Sequence, residues 1–357
     1  MPKTITVSAP GRICLFGEHQ DYLGLPVITA AINLRIKMSG GFSGDDKFRI
    51  DCPDVNEYDS FAFLYPFRYS KDRDYFKSTL NVLQRAGLDL RQAAEVHVRG
   101  TIPINSGTSS SSALVVAWVA FLLKMADDER AREPLTIAKL AHAAEVLEFK
   151  EPGGMMDHFA SALGGVQFIS FGKMTQAQRL PAPLGTFVVG DSREPKDTKG
   201  ILARVKKGAL EGLKIIGTDI FSLKKDDVQD SINKLTENQI KVLNAQILNR
   251  QLTEIAKAIM ENDPFDHEQF GHLLNKHQEQ LRDGLGISTP KIDRMIDAAL
   301  DSGAYGAKIN GSGGGGCMFA YAPKNAQHVA EAIERAGGKA YVVQVDEGLK
   351  IVEGGTS

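Results

Sequence analysis

Residues 102–113 read Ile-Pro-Ile-Asn-Ser-Gly-Thr-Ser-Ser-Ser-Ser-Ala and lead directly into Ser110–Met125, a segment that is apolar on nearly every side. Such a composition predicts a helix buried in the core. One serine is enough to cap a helix, whereas this stretch supplies four in succession. Bare N–H groups at a helix start favour anions, so the stretch predicts a phosphate-binding loop; a simple serine cap is the alternative. No Gly-Lys-Ser/Thr follows the glycine, which excludes a Walker A loop.

A second polar cluster lies at residues 9–24, where Arg12, Glu18, His19 and Asp21 occur close together. Two carboxylates and an imidazole within four residues can exchange several hydrogen bonds with neighbouring hydroxyl groups. An arginine, which is always charged, suits a phosphate group in transfer. These residue types predict a pocket for a polyol, and a charged surface turn held by salt bridges is the alternative.

A glycine-rich stretch, Lys-Ile-Asn-Gly-Ser-Gly-Gly-Gly-Gly-Cys, occupies residues 308–317. Its glycines match the dinucleotide-binding pattern GxGxxG, but that pattern needs a helix to follow, and residues 317–322 read as a strand. Ordering so many glycines costs about 1 kcal/mol for each. We therefore expect close approach of this backbone to another group, with a flexible hairpin loop as the alternative.

Two further acids lie between these stretches, at Glu145 and Asp157. Asp157 follows a Pro-Gly-Gly-Met-Met sequence, and it stands at the start of a helix predicted for Met156–Leu163. Its simplest interpretation is a residue that begins or caps that helix. The paired glycines Gly153 and Gly154 would also let a ligand reach the backbone here.

Composition restricts the class of protein. The 357 residues carry 42 Lys and Arg against 44 Asp and Glu, a net charge of −2 that gives no reason to expect nucleic acid or anionic lipid as a partner. Three scattered cysteines suggest neither a disulfide framework nor a zinc site and fit a reducing cytoplasm. No signal peptide is recognised, and the longest apolar run, residues 113–123, is shorter than the roughly 20 residues of a spanning helix. We expect a cytoplasmic protein without a membrane span.

The order of elements predicts an α+β protein of two domains, residues 1–185 and 186–357. The predicted strands lie at residues 4–7 (ended by a break at 9–11), 26–32, 34–38, 48–51, 94–100, 166–170, 186–190, 307–309, 317–322 and 339–345. The predicted helices lie at residues 75–85, 110–125, 136–147, 156–163 and 326–336. Residues 198–299 are predicted to be mostly helical.

These stretches, in this order, resemble the GHMP kinase family, which includes galactokinases, homoserine kinases and mevalonate kinases. Pro10-Gly11-Arg12 with Gly17-Glu18-His19 resembles the first family motif, the loop from Pro103 to Ser111 the second, and Gly311–Gly316 the third. The resemblance covers residues 9 to about 320. It implies a ribosomal-protein-S5-like α/β domain followed by a ferredoxin-like α+β domain. Within the family, Gly-Glu-His-Gln-Asp-Tyr resembles the galactokinase signature.

The resemblance implies an ATP-dependent kinase that uses Mg²⁺ and phosphorylates a small sugar, galactose or a related aldose at the anomeric hydroxyl. It assigns catalysis to Arg12 and Asp157 and the metal to Ser111 and Glu145. The implied substrate-binding residues are Glu18, His19, Asp21 and Gly154. The implied ATP-binding residues are Ser106, Gly107, Ser109, Ser110, Ser111, Ser112, Gly313 and Gly314.

Other members of the family stay open as alternatives. Residues 191–199 look closer to mevalonate kinase, and Asn105 and Thr108 depart from the usual second motif. The tyrosine that galactokinases bring to the sugar has no recognised counterpart. Mevalonate kinase or another GHMP sugar kinase is therefore one alternative, and a catalytically inactive sensor of sugar and ATP is another. We expect a monomer or weak homodimer.

Overall fold

The computed structural model describes residues 4–104, 106–172, 175–195 and 198–354. Its strands are β1 Thr4–Phe16, β2 Val27–Phe42, β3 Lys47–Cys52, β4 Glu57–Ala62, β5 Ala94–Gly100, β6 Val166–Phe171, β7 Thr175–Arg179, β8 Phe187–Asp191, β9 Gly306–Asn310, β10 Cys317–Tyr321, β11 Lys339–Val343 and β12 Lys350–Gly354. Its α-helices are α1 Tyr75–Arg85, α2 Ser110–Met125, α3 Pro134–His142, α4 Met156–Leu163, α5 Thr198–Ile216, α6 Lys225–Asp230, α7 Glu237–Glu261, α8 His267–Glu279, α9 Pro290–Asp301 and α10 Ala326–Arg335.

The first sheet has the strand order β12-β1-β2-β5-β3-β4, and β6 joins it through β2 and carries β7 at its edge. The pairing of β3 with β5 is parallel and the other pairings are antiparallel. Helix α2 packs against β1 and β2. It is buried along nearly its whole length, and its own Trp118 packs against Phe48 and Phe76. This arrangement confirms the buried helix that the sequence predicts, and it places the serine-rich start of α2 beside β1.

The second sheet has the antiparallel order β11-β8-β10-β9. Helices α9 and α10 pack against it, and α8 lies against β9. A cluster of buried apolar side chains joins the two sheets: Leu15 and Phe16 of β1 pack in it with Phe187 and Phe319 of the second sheet and with Phe270 of α8. The two parts of the chain therefore share a core. The glycine-rich stretch of the second part lies against the serine-rich loop and the polar cluster of the first part.

Several predicted elements need correction. The break expected at residues 9–11 is absent: β1 continues through it with a shift of register between Pro10 and Gly11. A Cβ on Gly11 would lie 2.8 Å from the Thr108 carbonyl oxygen, so the glycine permits the serine-rich loop to approach the strand. The strands predicted at 26–32 and 34–38 are one long strand, β2. The helix predicted at 136–147 begins at Pro134 and ends at His142, and a π-helical turn follows at Ala143–Leu147.

The division of the chain into two domains near residue 185 stays a prediction. The last strand, β12, belongs by sequence to the second part but pairs with a strand of the first part. β12 pairs with β1, with Gly354 opposite Thr4, so the end of the described chain adds a strand to the first sheet. Neither β12 nor the edge strands β4 and β7 were predicted from the sequence. Among the described residues, the helices are all too short or too polar to cross a bilayer.

Candidate active site

A cavity of about 340 Å³ lies where the three motifs meet. Its wall contains most of the residues that the sequence singled out. These are Arg12, His19, Asp21, Gly107, Ser109, Ser110, Ser111, Ser112, Glu145, Gly154 and Asp157. Residues more than 140 positions apart in the chain thus converge on one space, which a set of unrelated surface turns and caps would not produce.

Arg12 and Asp157 form an ion pair at the cavity. The Arg12 Nε donates to Asp157 Oδ1 at 2.7 Å, and Arg12 Nη1 donates to the Gly107 carbonyl oxygen at 2.6 Å. Arg12 is buried, whereas 27% of the Asp157 side chain is exposed. Burial acts to raise the pKa of Asp157, but the charge and hydrogen bond of Arg12 outweigh it, and the pKa lies below its ordinary value. Asp157 is therefore an anion near neutral pH.

Asp21 is the second carboxylate of the cavity and is held by backbone groups. Its Oδ1 accepts from the Tyr22 N–H at 2.9 Å, and its Oδ2 accepts from the Met156 N–H at 3.3 Å. Burial, followed by the nearby charge of Asp157, raises its pKa to about 6. A Cβ on Gly154 would lie 1.8 Å from Asp21 Oδ2, so only glycine at that position leaves room for the carboxylate.

His19 connects the first motif to the third. Its backbone is left-handed, with φ of 62°, and its Nε2 lies 3.1 Å from the Ser312 carbonyl oxygen. Burial lowers its pKa to about 4, so the ring is neutral at pH 7. Since a carbonyl only accepts, Nε2 carries the proton, and Nδ1 accepts the hydroxyl proton of Tyr22 at 2.8 Å.

The serine-rich loop is not a simple helix cap. Ser109 occupies the N-cap position of α2 in a left-handed conformation, with φ of 61°, and its side chain makes no capping hydrogen bond. The next three serines line the cavity together with it. The serine cap that the sequence left open as an alternative is therefore excluded, and the start of a buried helix faces the cavity.

Glu145 lies in the π-helical turn that follows α3 and is buried. Its Oε2 is 2.7 Å from His158 Nε2, and Ser111 and Ser112 line the same cavity. Burial acts to raise the pKa of this carboxyl. His158 and the nearby hydroxyl groups of Ser111 and Ser112 lower it by more than burial raises it, so the pKa lies below its ordinary value. An ionised carboxylate beside a serine hydroxyl is a donor set that suits Mg²⁺, which takes few protein ligands and prefers oxygen.

Four of the residues assigned by resemblance do not line the cavity. Ser106 bonds instead to the Pro103 carbonyl and to Thr108. Glu18 is fully buried behind the wall and pairs with Lys308. In the third motif, a Cβ on Gly313 would meet Ile287 at 2.6 Å, and one on Gly314 would meet Ile201 at 2.0 Å. These glycines pack against protein, and the third motif presents Gly311 and Ser312 to the cavity instead.

The sequence analysis missed a group of charged and aromatic residues at the cavity. Arg73 donates to both carboxylate oxygens of Glu151, at 2.7 and 2.5 Å, and Lys199 Nζ lies 2.9 Å from the same carboxylate. Tyr22 and Tyr75 also line the wall. Tyr22 is the last residue of the quoted signature but was given no role, and nothing distinguishes Arg73 or Glu151 from surface charges in the sequence. Asn105 and residues 196–197 of the 191–199 segment lie outside the described residues.

Comparison with known proteins gives three family matches. Residues 74–165 match the GHMP kinases N terminal domain, residues 244–340 match GHMP kinases C terminal, and residues 2–41 match the galactokinase galactose-binding signature. A mevalonate kinase of Pyrococcus abyssi is 30% identical over 99% of this chain and 99% of its own length. A galactokinase of Actinobacillus succinogenes is 27% identical over 97% and 94%. The crystal structure of Lactococcus lactis galactokinase complexed with galactose superposes with a TM-score of 0.85 at 21% identity, covering 97% of this chain and 95% of that one.

Proposed function

Since the chain belongs to the GHMP kinase family, and so is a phosphotransferase with an alcohol acceptor, we propose that it transfers the γ-phosphate of ATP to a sugar hydroxyl. The proposed acceptor is galactose or a related aldose, and the proposed reacting group is the anomeric hydroxyl. The observation that carries this proposal is the position of Asp21. It belongs to the segment that matches the galactose-binding signature, and its carboxylate lies at the cavity beside Asp157.

Asp21, His19 and Tyr22 together offer the acceptor several hydrogen-bonding groups. A carboxylate accepts from hydroxyls, and the neutral imidazole and phenol can rearrange their shared hydrogen bond to meet a ligand. A site that hydrogen-bonds to each hydroxyl discriminates strongly, because an acceptor that lacks one leaves a buried polar group unpaired. Mevalonate carries fewer hydroxyls than a hexose, so this set of residues favours the sugar.

Asp157 and Arg12 are proposed to act on the reacting hydroxyl. Asp157 orients it toward the γ-phosphorus and accepts its proton as the new O–P bond forms and the bond to the leaving ADP breaks. The low pKa of Asp157 makes it a weak base, which suits phosphoryl transfer because most of the barrier is met by positioning and charge stabilisation. Arg12 keeps Asp157 ionised and offsets the charge that develops on the transferred group.

The serine-rich loop at the start of α2 is proposed to bind the β- and γ-phosphates through backbone N–H groups and the helix dipole. Ser111 and Glu145 would hold Mg²⁺, whose chemistry is to neutralise phosphate charge. Among the described residues, no group of three or more His, Cys, Asp or Glu side chains is arranged to hold a metal ion. A metal with two protein ligands is compatible with that finding, since bound Mg²⁺ usually keeps several waters.

Mevalonate is the second candidate acceptor, and a specific observation favours it. The mevalonate kinase of Pyrococcus abyssi is 30% identical to this chain, against 27% for the galactokinase of Actinobacillus succinogenes. The chain covers nearly the full length of both relatives. Identity over the whole chain therefore favours mevalonate as the acceptor, while the match of residues 2–41 to the galactose-binding signature favours galactose.

A coupled assay of ADP release over galactose, its epimers, a uronic acid and mevalonate tests the proposal. We expect turnover of a hexose, and we expect Asp21→Asn to lower kcat/KM for that hexose by at least 100-fold with the KM for ATP unchanged. Asp89→Asn, which alters an exposed carboxylate paired with Arg91, serves as the control. Turnover of mevalonate and of no sugar, at a rate that Asp21→Asn leaves unchanged, would show that mevalonate is the acceptor. Binding of ATP and sugar without ADP release would show a sensor.

A further inference from the structure

Asn310, the last residue of β9, joins all three motifs through one side chain. It is almost fully buried, with 1% of its surface exposed. Its Oδ1 accepts from the Cys14 N–H of the first motif at 2.9 Å, and its Nδ2 donates to the Gly107 carbonyl oxygen of the second motif at 2.9 Å. Asn310 directly precedes Gly311, the first residue of the third motif, and its Nδ2 also lies 3.6 Å from Cys317 Sγ.

The chemistry of these partners fixes the orientation of the amide. A backbone N–H can only donate, so the atom facing Cys14 must be the amide oxygen. A carbonyl can only accept, so the atom facing Gly107 must be the amide nitrogen. A side chain of this length needs both an acceptor and a donor to pair with the Cys14 N–H and the Gly107 carbonyl. A buried polar group left unpaired would destabilise the protein.

The Gly107 carbonyl is also the acceptor for Arg12. A carbonyl oxygen has two lone pairs, and here Arg12 Nη1 uses one at 2.6 Å and Asn310 Nδ2 the other at 2.9 Å. The backbone N–H of Arg12 donates to the Thr108 carbonyl at 3.2 Å. The guanidinium is therefore fixed at two ends, by Gly107 on one side and by Asp157 on the other. Gly107 itself has a left-handed φ of 99°, so its carbonyl direction depends on such contacts.

The geometry points to Asn310 as a positioning residue for phosphoryl transfer: it holds the Gly107 carbonyl in place and so aligns Arg12 against Asp157. This inference rests on the roles proposed above for Arg12 and Asp157. Asn310 contacts neither ATP nor acceptor in this scheme and acts through Arg12. A small displacement of a group that stabilises charge can cost up to about 100-fold in rate.

A double-mutant cycle tests the route through Arg12. We expect Asn310→Ala to lower kcat about 10- to 100-fold with the KM for ATP within threefold of wild type, on the panel acceptor with the highest turnover. In an Arg12→Ala background the same substitution should change kcat less than twofold, because the group it aligns is gone. An equal loss in both backgrounds, or no loss in the wild-type background, overturns the inference. A normal kcat for Arg12→Ala would instead overturn the proposed mechanism itself.

A matched control separates positioning from stability. Asn81 is a buried asparagine whose amide accepts from the Phe67 N–H at 2.9 Å and donates to the Phe67 carbonyl at 2.8 Å, away from the cavity. Asn81→Ala should lower the unfolding temperature as Asn310→Ala does but keep kcat near wild type. If Asn310→Ala does not fold, Asn310→Asp replaces it, since the carboxylate keeps the volume and the acceptor for Cys14 but has no N–H for Gly107.

A second measurement needs no acceptor. The Arg12 Nε–H is assigned in a nitrogen–proton spectrum as the signal that is lost in Arg12→Ala, and its exchange with solvent is followed. We expect exchange at least tenfold faster in Asn310→Ala than in wild type, and unchanged in Asn81→Ala, because the Gly107 carbonyl, one of the two anchors of the guanidinium, is no longer held by Asn310. Unchanged exchange in Asn310→Ala overturns the inference whatever the substrate proves to be.

Discussion

Asp21 and Glu18 stand three residues apart in the same motif and belong to different parts of the molecule. Asp21 lies at the cavity, held by two backbone N–H groups. Glu18 is fully buried on the other side of the wall, where it pairs with Lys308 of β9 and where His277 Nδ1 lies 3.8 Å from its second oxygen. One carboxylate lies at the cavity where acceptor binding is proposed, and the other joins the two halves of the chain.

The backbone between them explains the divergence. Gly17 and His19 both have positive φ, 96° and 62°, and the Gln20 N–H donates to the Gly17 carbonyl, so the chain turns around Glu18. Glu18 therefore points inward, while His19 and Asp21 point into the cavity. Gly17 is fixed in this role, since a Cβ would lie 2.9 Å from the Pro26 carbonyl oxygen. Two left-handed residues thus divide the charged residues of one short signature between the cavity and the buried contact of the two halves.

The largest expected effect is on the cavity side. Asp157→Asn removes the proton acceptor but keeps the size of the side chain, and we expect kcat to fall by about 10²–10⁴ with ATP affinity retained. Steady-state kinetics and calorimetric titration of ATP measure the two quantities, with Asp89→Asn as the control. A kcat within fivefold of wild type would remove Asp157 from the chemistry.

Substitutions in the buried Glu18–Lys308 pair should change the stability of the protein. Lys308→Met leaves the Glu18 charge without a partner, and we expect a loss of about 3–5 kcal/mol in the free energy of unfolding, measured with urea. Adding Glu18→Gln to that variant should restore part of the loss, since the stranded charge is removed. If the double variant were no more stable than Lys308→Met, the pairing of these two groups would not explain their burial.

Gly154→Ala sharpens the contrast from the opposite wall. The new methyl group would overlap Asp21 Oδ2, so we expect kcat/KM for the sugar to fall about 100-fold while the KM for ATP changes little. Gly153→Ala is a matched control, because its Cβ would meet Val146 at 3.6 Å, an ordinary contact. Equal effects of the two substitutions would mean that the loop, and not the carboxylate, is being disturbed.

The last expected effect is a dependence of stability on pH. Asp21 has a pKa of about 6 in the folded protein against 3.8 for an ordinary aspartate, so its ionised form destabilises the fold. The wild type should lose up to about 3 kcal/mol of stability relative to Asp21→Asn as the pH rises from about 4 to about 6, and the difference should then stay constant. Urea unfolding of both proteins at several pH values measures it. A difference that shrinks over this range would place the Asp21 pKa below its ordinary value.

Local pattern predicted much of the structure and long-range contact decided the rest. The bounds of α1, α2, α4 and β5 follow from apolar periodicity and agree with the structure residue for residue. Arg12 and Asp157 were predicted as a pair because the ordered motifs resemble a family. Glu18 was assigned to the substrate by resemblance, and its burial against Lys308 could not be predicted because that partner is 290 residues away. Arg73 and Lys199 were missed for the same reason: each meets Glu151 only through the fold.

The pairing of β12 with β1 has a consequence for how the chain reaches its native state. β1 is synthesised long before β12, the strand that covers its outer edge. Until then, β1 offers a row of unpaired backbone groups on which other strands can add. The N-terminal part therefore finishes its sheet only after β12 has been synthesised, which ties maturation of the part that carries the serine-rich loop to synthesis of the C-terminal part.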